Sequence, residues 1–366
     1  MTVGYYSPLP PARTGIADYA AALLTALQRR GTVKIAPQRC DLGLYHIGNN
    51  ALHSAIYRRA IEHPGIVVLH DAVLHHFLLG ELDEQAYVEE FTYNYGEWTR
   101  AFARELWAQR AGSGADERYF RYPMLRRLTE RARAVVVHNP AAAKAVLEHA
   151  PGARVMEIPH LYAPPALPGE GAVTRYRQRV GIEAGVFFFG VFGHLRESKR
   201  LASVVSAFER LHAERPDTAL LIAGGFASRD LERTLEPLGT APGLVRLPYL
   251  SEAEFWLAAS AVDACVNLKY PAAGETSGIA IRLMGLGKPV FLTEGEETSR
   301  YPADACIRVE AGTGERDSLW GHMILLTSMT DVAGDIGGRG AGHIQSHHQV
   351  EQAADAYWKL LCEYGS

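Results

Sequence analysis

Glu275 stands in a turn, Pro271-Ala272-Ala273-Gly274-Glu275-Thr276-Ser277-Gly278, that combines a carboxylate with two hydroxyls and two glycines. An apolar, strand-like run from Asp263 to Leu268 precedes it. An apolar-periodic segment follows and predicts a helix opening at Ser277 or Gly278. The first amides of such a helix lack intrahelical acceptors and lie at the positive end of the helix dipole, so they form an anion site. A carboxylate beside a phosphate-sized site points to a ligand with both hydroxyls and phosphate, and a sugar nucleotide is such a ligand. Thr276, Ser277 and Gly278 are the residues that would meet its phosphate.

Three other segments carry residue types suited to the same ligand. Pro8 to Tyr19 follows the first apolar run and enters a helix, with Thr14 as its cap and Gly15 where a ligand can approach the amides closely. The plainer reading is a strand–helix turn in which Gly15 only satisfies the backbone. Leu69-His70-Asp71 ends another apolar run, and strand ends of open parallel sheets face the ligand crevice. His70 could then touch substrate, but taken alone the plainer reading is a structural hydrogen-bonding histidine. His75 and His76 read as helix-surface or acceptor-side residues. Gly193-His194-Leu195-Arg196-Glu197-Ser198-Lys199-Arg200 is a basic turn able to neutralise a diphosphate, with Lys199 as a point charge on it; the competing reading is a solvated charge run.

These residues need a scaffold, and the chain predicts one of class α/β. Short apolar runs alternate with helix-period segments, the pattern of parallel sheets with crossover helices. Candidate strands are Val3–Ser7, Leu42–Ile47, Ile66–His70, Ala134–His138 and Val155–Ile158, then Val186–Phe192, Ala219–Ala223, Val245–Leu247, Ala264–Leu268, Val290–Thr293 and Ile307–Val309. Between the two sets, residues 159–169 hold four prolines and read as a stiff linker. The expected domains are 1–165, 166–346 and a closing helix over 347–366 with Val350, Ala353, Ala354, Tyr357, Leu360 and Leu361 on its apolar face. A long helical region at 81–133 carries six arginines (118, 121, 126, 127, 131 and 133) beside only two or three acids, which allows a weak peripheral membrane contact or a solvated helix face.

At 366 residues the chain is long enough for two cores, and a net charge of −4 gives no footprint for nucleic acid. The longest uninterrupted apolar run, Gly185 to Gly193, is far short of the ~20 residues that a spanning helix needs. Four scattered cysteines (Cys40, Cys265, Cys306, Cys362) read as buried thiols in a reducing compartment. The first residues show no basic leader, so a cytoplasmic protein is expected, with any membrane contact peripheral at the inner face. No Gly-x-Gly-x-x-Gly follows the first strand. Gly287-Lys288 is followed by Pro289 where a P-loop needs a hydroxyl, and there is no Gly-x-Ser-x-Gly, His-Glu-x-x-His or Asp-x-Asp motif.

Taken together and in this order, the segments resemble retaining glycosyltransferases of family 4, specifically the branch with Gly-Glu-Thr-Ser-Gly. The resemblance spans nearly the whole chain: Pro10-Pro11-x-x-Thr14-Gly15-Ile16-Ala17-Asp18-Tyr19, Leu69-His70-Asp71, Gly193 with Lys199, Ala273 to Gly278, Gly287-Lys288-Pro289-Val290, and the closing helix. It implies the GT-B fold, two Rossmann-like parallel-sheet domains facing across a cleft, with the last helix crossing back to the first domain. It also implies a nucleotide-diphosphate-sugar donor held mainly by the second domain and a hydroxyl acceptor, a glycan or lipid-linked glycan, held by the first. By this resemblance His70 and Glu275 serve the reacting sugar. Gly15, Gly193, His194, Arg196, Lys199, Thr276, Ser277, Gly278 and Arg282 hold the donor, and no metal or other cofactor is needed.

Two positions depart from the pattern. Many relatives carry arginine where His194 stands, and histidine is only partly charged near neutrality. Relatives also hold the donor ribose with a second glutamate; counting back from Pro289 that place is Arg282, and counting forward from Glu275 it is Leu283. Arginine only donates hydrogen bonds, so Arg282 is expected on phosphate or ribose recognition is expected elsewhere. The departures motivate a second hypothesis, a catalytically silent GT-B protein that binds a nucleotide or a partner. A third, nucleotide-sugar epimerisation, is opposed by the Thr14-Gly15-Ile16 and Gly274-Glu275-Thr276-Ser277-Gly278 segments.

Overall fold

The computed structural model describes residues 1–235 and 241–365. Ser366 of the expected closing helix, and residues 236–240 of the expected second domain, lie outside the described residues. Contacts divide the chain into two compact units: Met1–Ala163 with Pro271–Thr276 and His347–Ser366, and Pro164–Tyr270 with Ser277–Ser346.

The first unit is built on β1 (Thr2–Tyr6), β2 (Thr32–Ile35), β3 (Leu42–Ile47), β4 (Ile66–Leu69), β5 (Ala134–Val137) and β6 (Val155–Glu157). They form one all-parallel sheet in the order β2-β1-β3-β4-β5-β6. The three central strands β3, β4 and β5 are buried along their whole length, which is why they read as continuous apolar runs rather than as alternating ones. β2 is the strand that sequence reasoning missed. It is an edge strand, Thr-Val-Lys-Ile, in which only Val33 is buried.

The second unit repeats the plan with β7 (Phe187–Phe192), β8 (Thr218–Ala223), β9 (Leu244–Leu247), β10 (Ala264–Asn267), β11 (Val290–Thr293) and β12 (Ile307–Val309). Their order is β12-β11-β10-β7-β8-β9, again all parallel. In each sheet the chain runs outward on one side, then returns to build the other. The direction of winding therefore reverses between β1 and β3, and between β7 and β10. Ligand crevices of doubly wound sheets open at the carboxyl ends of the strands flanking such a reversal.

The first helix, Gly15–Gln28, starts at Thr14, whose hydroxyl accepts the Ile16 amide, and it buries Ala17, Tyr19, Ala20, Leu23, Leu24, Ala26 and Leu27. The closing helix, Val350–Tyr364, buries Ala353, Ala354, Tyr357, Leu360 and Leu361 in the same hydrophobic cluster. Tyr19 and Tyr357 meet in that cluster with their hydroxyls 2.9 Å apart. Replacing Tyr357 by Phe leaves the buried Tyr19 hydroxyl without this bond and is expected to lower stability by about 1–3 kcal/mol, read as a shift of the urea midpoint.

The 81–133 region is helical as expected, in a set of short helices, among them Glu84–Tyr95, Arg100–Gln109, Arg118–Arg121 and Arg126–Arg131, packed around Tyr87, Phe91 and Tyr119. Two expectations are corrected. The arginines of this region face more acids than adjacency suggests. Arg118 pairs with Asp116 and Glu105, Arg121 with Glu117, Arg126 with Glu130, and Arg127 with Glu90. Glu90 and Glu105 come from the preceding helices, so the expected excess of positive charge shrinks. Finally, Cys265 and Cys306 are buried, burial pushing the Cys265 thiol up to about 12, whereas Cys362 is exposed. No helix among the described residues is long and apolar enough to cross a membrane.

Candidate functional site

In the second unit, β7 and β10 flank the winding reversal, and the basic turn leaves the end of β7. Gly193 turns the chain there at φ +92°, a backbone conformation that L side chains rarely adopt, so the turn requires glycine. Hydrogen bonds fix the turn on several sides: Leu195 N–H to Gly225 O (2.8 Å), Tyr270 N–H to Ser198 O (2.7 Å), and Ser228 Oγ to Glu197 Oε1 (2.7 Å). Arg200, at φ +57°, pairs with the buried Glu315 at 3.0 Å and so anchors the start of the next helix rather than facing a ligand.

Lys199 is buried to 7% exposure, and its ammonium donates to Asn267 Oδ1 at 3.4 Å. Asn267, the last residue of β10, donates from Nδ2 to Ser277 Oγ at 2.9 Å. The Ser277 hydroxyl accepts the Ala280 amide at 3.3 Å and caps the helix Gly278–Gly285. One chain of hydrogen bonds therefore joins an ammonium to a helix N-terminus. The Gly278 and Ile279 amides have no intrahelical acceptor, so both groups present positive potential of the kind that binds phosphate.

Arg196 and His194 are exposed on the same turn. Desolvation first, then the charges of Arg196 and Lys199, lower the His194 pKa below the usual histidine value, so this residue adds no charge near neutral pH. Arg282 lies one turn beyond the helix start. It donates to Glu252 Oε2 at 3.1 Å, and its guanidinium lies 5.2 and 5.5 Å from the Phe255 and Trp256 ring centres. These partners belong to the neighbouring helix Glu252–Ala261, and they give Arg282 a role in joining two helices.

In the first unit, the ends of β4 and β5 hold the Glu275 turn. The Ala72 amide donates to Ala273 O at 2.8 Å, and Asn139 Nδ2 reaches both Gly274 O and Thr276 Oγ1 at 2.9 Å. Gly274 sits at φ +66°, and a Cβ there would stand 2.6 Å from Ala72 Cβ. Close seating of the turn therefore requires glycine. Glu275 folds back so that Oε2 accepts the Ala273 amide at 2.8 Å. Asp71, beside His70, holds the loop after β3 by accepting the Asn49 amide at 2.9 Å.

His70 is buried to 7% exposure among rings. Tyr19 lies edge-on at 4.9 Å, His138 at 5.0 Å and His46 at 5.3 Å between ring centres. Burial, followed by the neighbouring imidazoles, holds its pKa well below the usual value, so it is neutral at physiological pH. Despite the crowd of imidazoles, no group of three metal-ligating side chains among the described residues is arranged to hold a metal ion. Gly15 is exposed, its φ is ordinary and a Cβ there would meet nothing within 4 Å. Neither backbone nor packing requires glycine at that helix start.

Three site residues escaped the sequence reading. His138 and Asn139 repeat at the end of β5 the pattern of His70 and Asp71 at the end of β4, and the Asn139-Pro140 helix start was a usable signal. Asn267 was the polar residue inside the expected strand Ala264–Leu268. Conversely, His75 is not a surface residue. It is fully buried, 2.7 Å from the Tyr87 hydroxyl, while His76 is partly buried against Ser113 O at 3.1 Å.

No protein-family model matches the chain, and no curated protein matches it in sequence. Solved structures do match in fold over almost the full length. Anabaena HepE in complex with UDP-glucose is 13% identical, with 99% of this chain and 100% of that one covered at a TM-score of 0.66. Sucrose-phosphate synthase from Thermosynechococcus elongatus is 14% identical over 99% and 98% of the two chains, with a TM-score of 0.65. WaaG, a glycosyltransferase involved in lipopolysaccharide biosynthesis, is 14% identical over 97% and 99%, with a TM-score of 0.62. The two six-stranded parallel sheets and their flanking helices are those of the GT-B glycosyltransferase fold.

Proposed function

We propose that this protein is a retaining, metal-independent glycosyltransferase that moves a hexosyl group from a nucleotide-diphosphate sugar to a hydroxyl of a glycan or lipid-linked glycan. The observation that carries this reading is the Lys199–Asn267–Ser277 chain, which couples an ammonium to a helix N-terminus at the winding reversal of the second sheet. UDP and UDP-glucose are the ligands of the HepE structures that share the fold.

In this reading Lys199, Arg196 and the Gly278 and Ile279 amides stabilise the leaving diphosphate, while Glu275 accepts hydrogen bonds from the sugar hydroxyls. The acceptor hydroxyl attacks the anomeric carbon on the leaving group's own face. The sugar–phosphate bond breaks as the new glycosidic bond forms, and the departing phosphate oxygen takes the hydroxyl proton. The protein's part is to orient reactants and to place fixed positive potential where negative charge develops. His194 is neutral and Arg282 is held by Glu252, so neither is assigned a charge on the donor.

A thermal-shift panel of UDP, GDP, ADP and their sugars tests the reading. One nucleotide at 100 times its dissociation constant is expected to stabilise the protein by about 2.7 kcal/mol, and Lys199→Met is expected to remove most of that shift. Stabilisation by none of these ligands overturns the proposal. Stabilisation without slow hydrolysis or transfer, even with glycan acceptors supplied, selects the silent nucleotide-binding alternative.

A further inference from the structure

His46 lies inside β3, the only residue of that strand with an ionisable group besides Tyr45, and it is fully buried. Its parallel register partner on β4 is Val68, two residues before His70. The two imidazoles stack with an interplanar angle of 21°, and His46 Nδ1 stands 3.0 Å from His70 Nε2. The remaining nitrogen of His46, Nε2, is buried without a hydrogen-bond partner, with the Tyr5 ring centre 4.8 Å from the imidazole centre.

A neutral imidazole has one N–H and one lone pair, so the 3.0 Å contact has two possible senses. If His70 Nε2–H donates, His46 must carry its own proton on Nε2, a buried N–H with no acceptor. If His46 Nδ1–H donates, Nε2 is left as a bare lone pair and the His70 proton moves to Nδ1. The surrounding interior decides between them. His53 Nδ1 stands 2.9 Å from His46 O, and His138 Nδ1 stands 2.8 Å from Ile158 O. A carbonyl only accepts, so both rings are Nδ1–H tautomers, and both leave a buried Nε2 without a partner. This cluster thus holds a bare Nε2 lone pair twice, whereas stranded buried N–H groups are the rarer defect in proteins.

We infer that His46 is a positioning residue of the site: its Nδ1–H donates to His70 Nε2 and holds His70 as the Nδ1–H tautomer. His70 is thereby a hydrogen-bond donor with no nitrogen left to accept a proton. Combined with the function proposed above, on which this last step rests, His70 donates to an oxygen of the bound sugar and does not deprotonate the acceptor hydroxyl.

Long-range nitrogen–proton NMR of the protein labelled with ¹⁵N-histidine at pH 7.5 reads the tautomer directly, with His70 assigned from the spectrum of His70→Gln. The wild-type protein is expected to show His70 as Nδ1–H. His46→Leu is expected to release it into a tautomer mixture, and His46→Asn, whose amide nitrogen stands near the place of Nδ1, is expected to restore it. A wild-type His70 carrying its proton on Nε2 overturns the proposal, as does an unchanged tautomer in His46→Leu. As a second readout, hydrolysis of UDP-glucose (or of whichever nucleotide sugar stabilises the protein) should lose about tenfold in kcat at unchanged KM in His46→Leu and recover in His46→Asn, the size expected for one hydrogen bond. Equal kcat in all three proteins also counts against it. If no nucleotide sugar binds, the function proposed above fails while the NMR result still decides the tautomer.

Discussion

Lowering the pH from 7.5 to 5.5 is expected to destabilise the first unit strongly. Five buried histidines, His46, His53, His70, His75 and His138, all belong to it, and burial is the first cause of a depressed pKa in each. His53 and His138 fall to about 4 and His75 to about 3, while His46 and His70 lie well below the ordinary value. In the unfolded chain the same groups titrate near 6.5. Above that pH neither state is protonated and the histidines leave stability unchanged. Below it the unfolded chain binds protons that the folded protein refuses, so stability falls as pH drops from about 6.5 towards the folded-state values. Each such histidine contributes a slope of about 1.4 kcal/mol per pH unit, so the five together remove roughly 7 kcal/mol by pH 5.5. That is comparable with the whole stability of an ordinary domain, about 5–15 kcal/mol. Urea midpoints followed by circular dichroism at pH 8, 7, 6 and 5.5 measure the effect, and His53→Gln should reduce the slope by about one proton. A midpoint that stays flat between pH 7.5 and 5.5 contradicts the burial of neutral imidazoles in this unit.

The same histidines mark the limit of what the residue pattern reveals. Strands buried on both faces announce themselves as apolar runs, so β3, β4, β5, β8 and β10 were legible; the short edge strands β6, β9 and β12 were legible from their Val, Ile and Leu, whereas β2 was not, because Thr32, Lys34 and Ile35 lie exposed at an edge. Residues at strand ends were legible as well, since the doubly wound topology sends those ends to the crevice. Lys199, Glu275 and His70 follow from that logic. His46 does not: nothing in Leu42-Gly43-Leu44-Tyr45-His46-Ile47 distinguishes a packed histidine from one whose ring sets another's proton. The seating of the Glu275 turn on Asn139 and Ala72 joins residues about 135 and 200 positions apart in the chain, a long-range pairing that no local spacing encodes. Arg282 shows the converse. Its place in the motif pointed to the ligand, whereas Glu252, Phe255 and Trp256 give it a salt bridge and two ring faces on the neighbouring helix.

Glu275→Ala is expected to abolish turnover, by about 10²–10⁴-fold in kcat/KM, with little loss of nucleotide affinity. The turn itself is held by contacts that this substitution spares: Ala72 N–H to Ala273 O, the two bonds from Asn139, and the close approach of Gly274 to Ala72. What it removes is the carboxylate. Hydrogen bonds from ligand hydroxyls to a charged acceptor are worth about 1.5–3 kcal/mol each, and two of them account for the expected range. The carboxylate also accepts the Ala273 amide at 2.8 Å, so part of any loss in Glu275→Ala belongs to the shape of the turn. Glu275→Gln separates the two contributions. Its amide oxygen can take over the Ala273 bond and preserve the turn, but its NH₂ can only donate, and it carries no charge. If the carboxylate acts on sugar hydroxyls, Gln is nearly as inactive as Ala while its thermal stability and its shift with the nucleoside diphosphate match the wild type. Lys199→Met gives the complementary pattern, losing the nucleotide shift itself, because its ammonium belongs to the group that includes the Gly278–Gly285 helix N-terminus. A Gln variant as active as the wild type means that Glu275 shapes the turn and contributes nothing to the sugar.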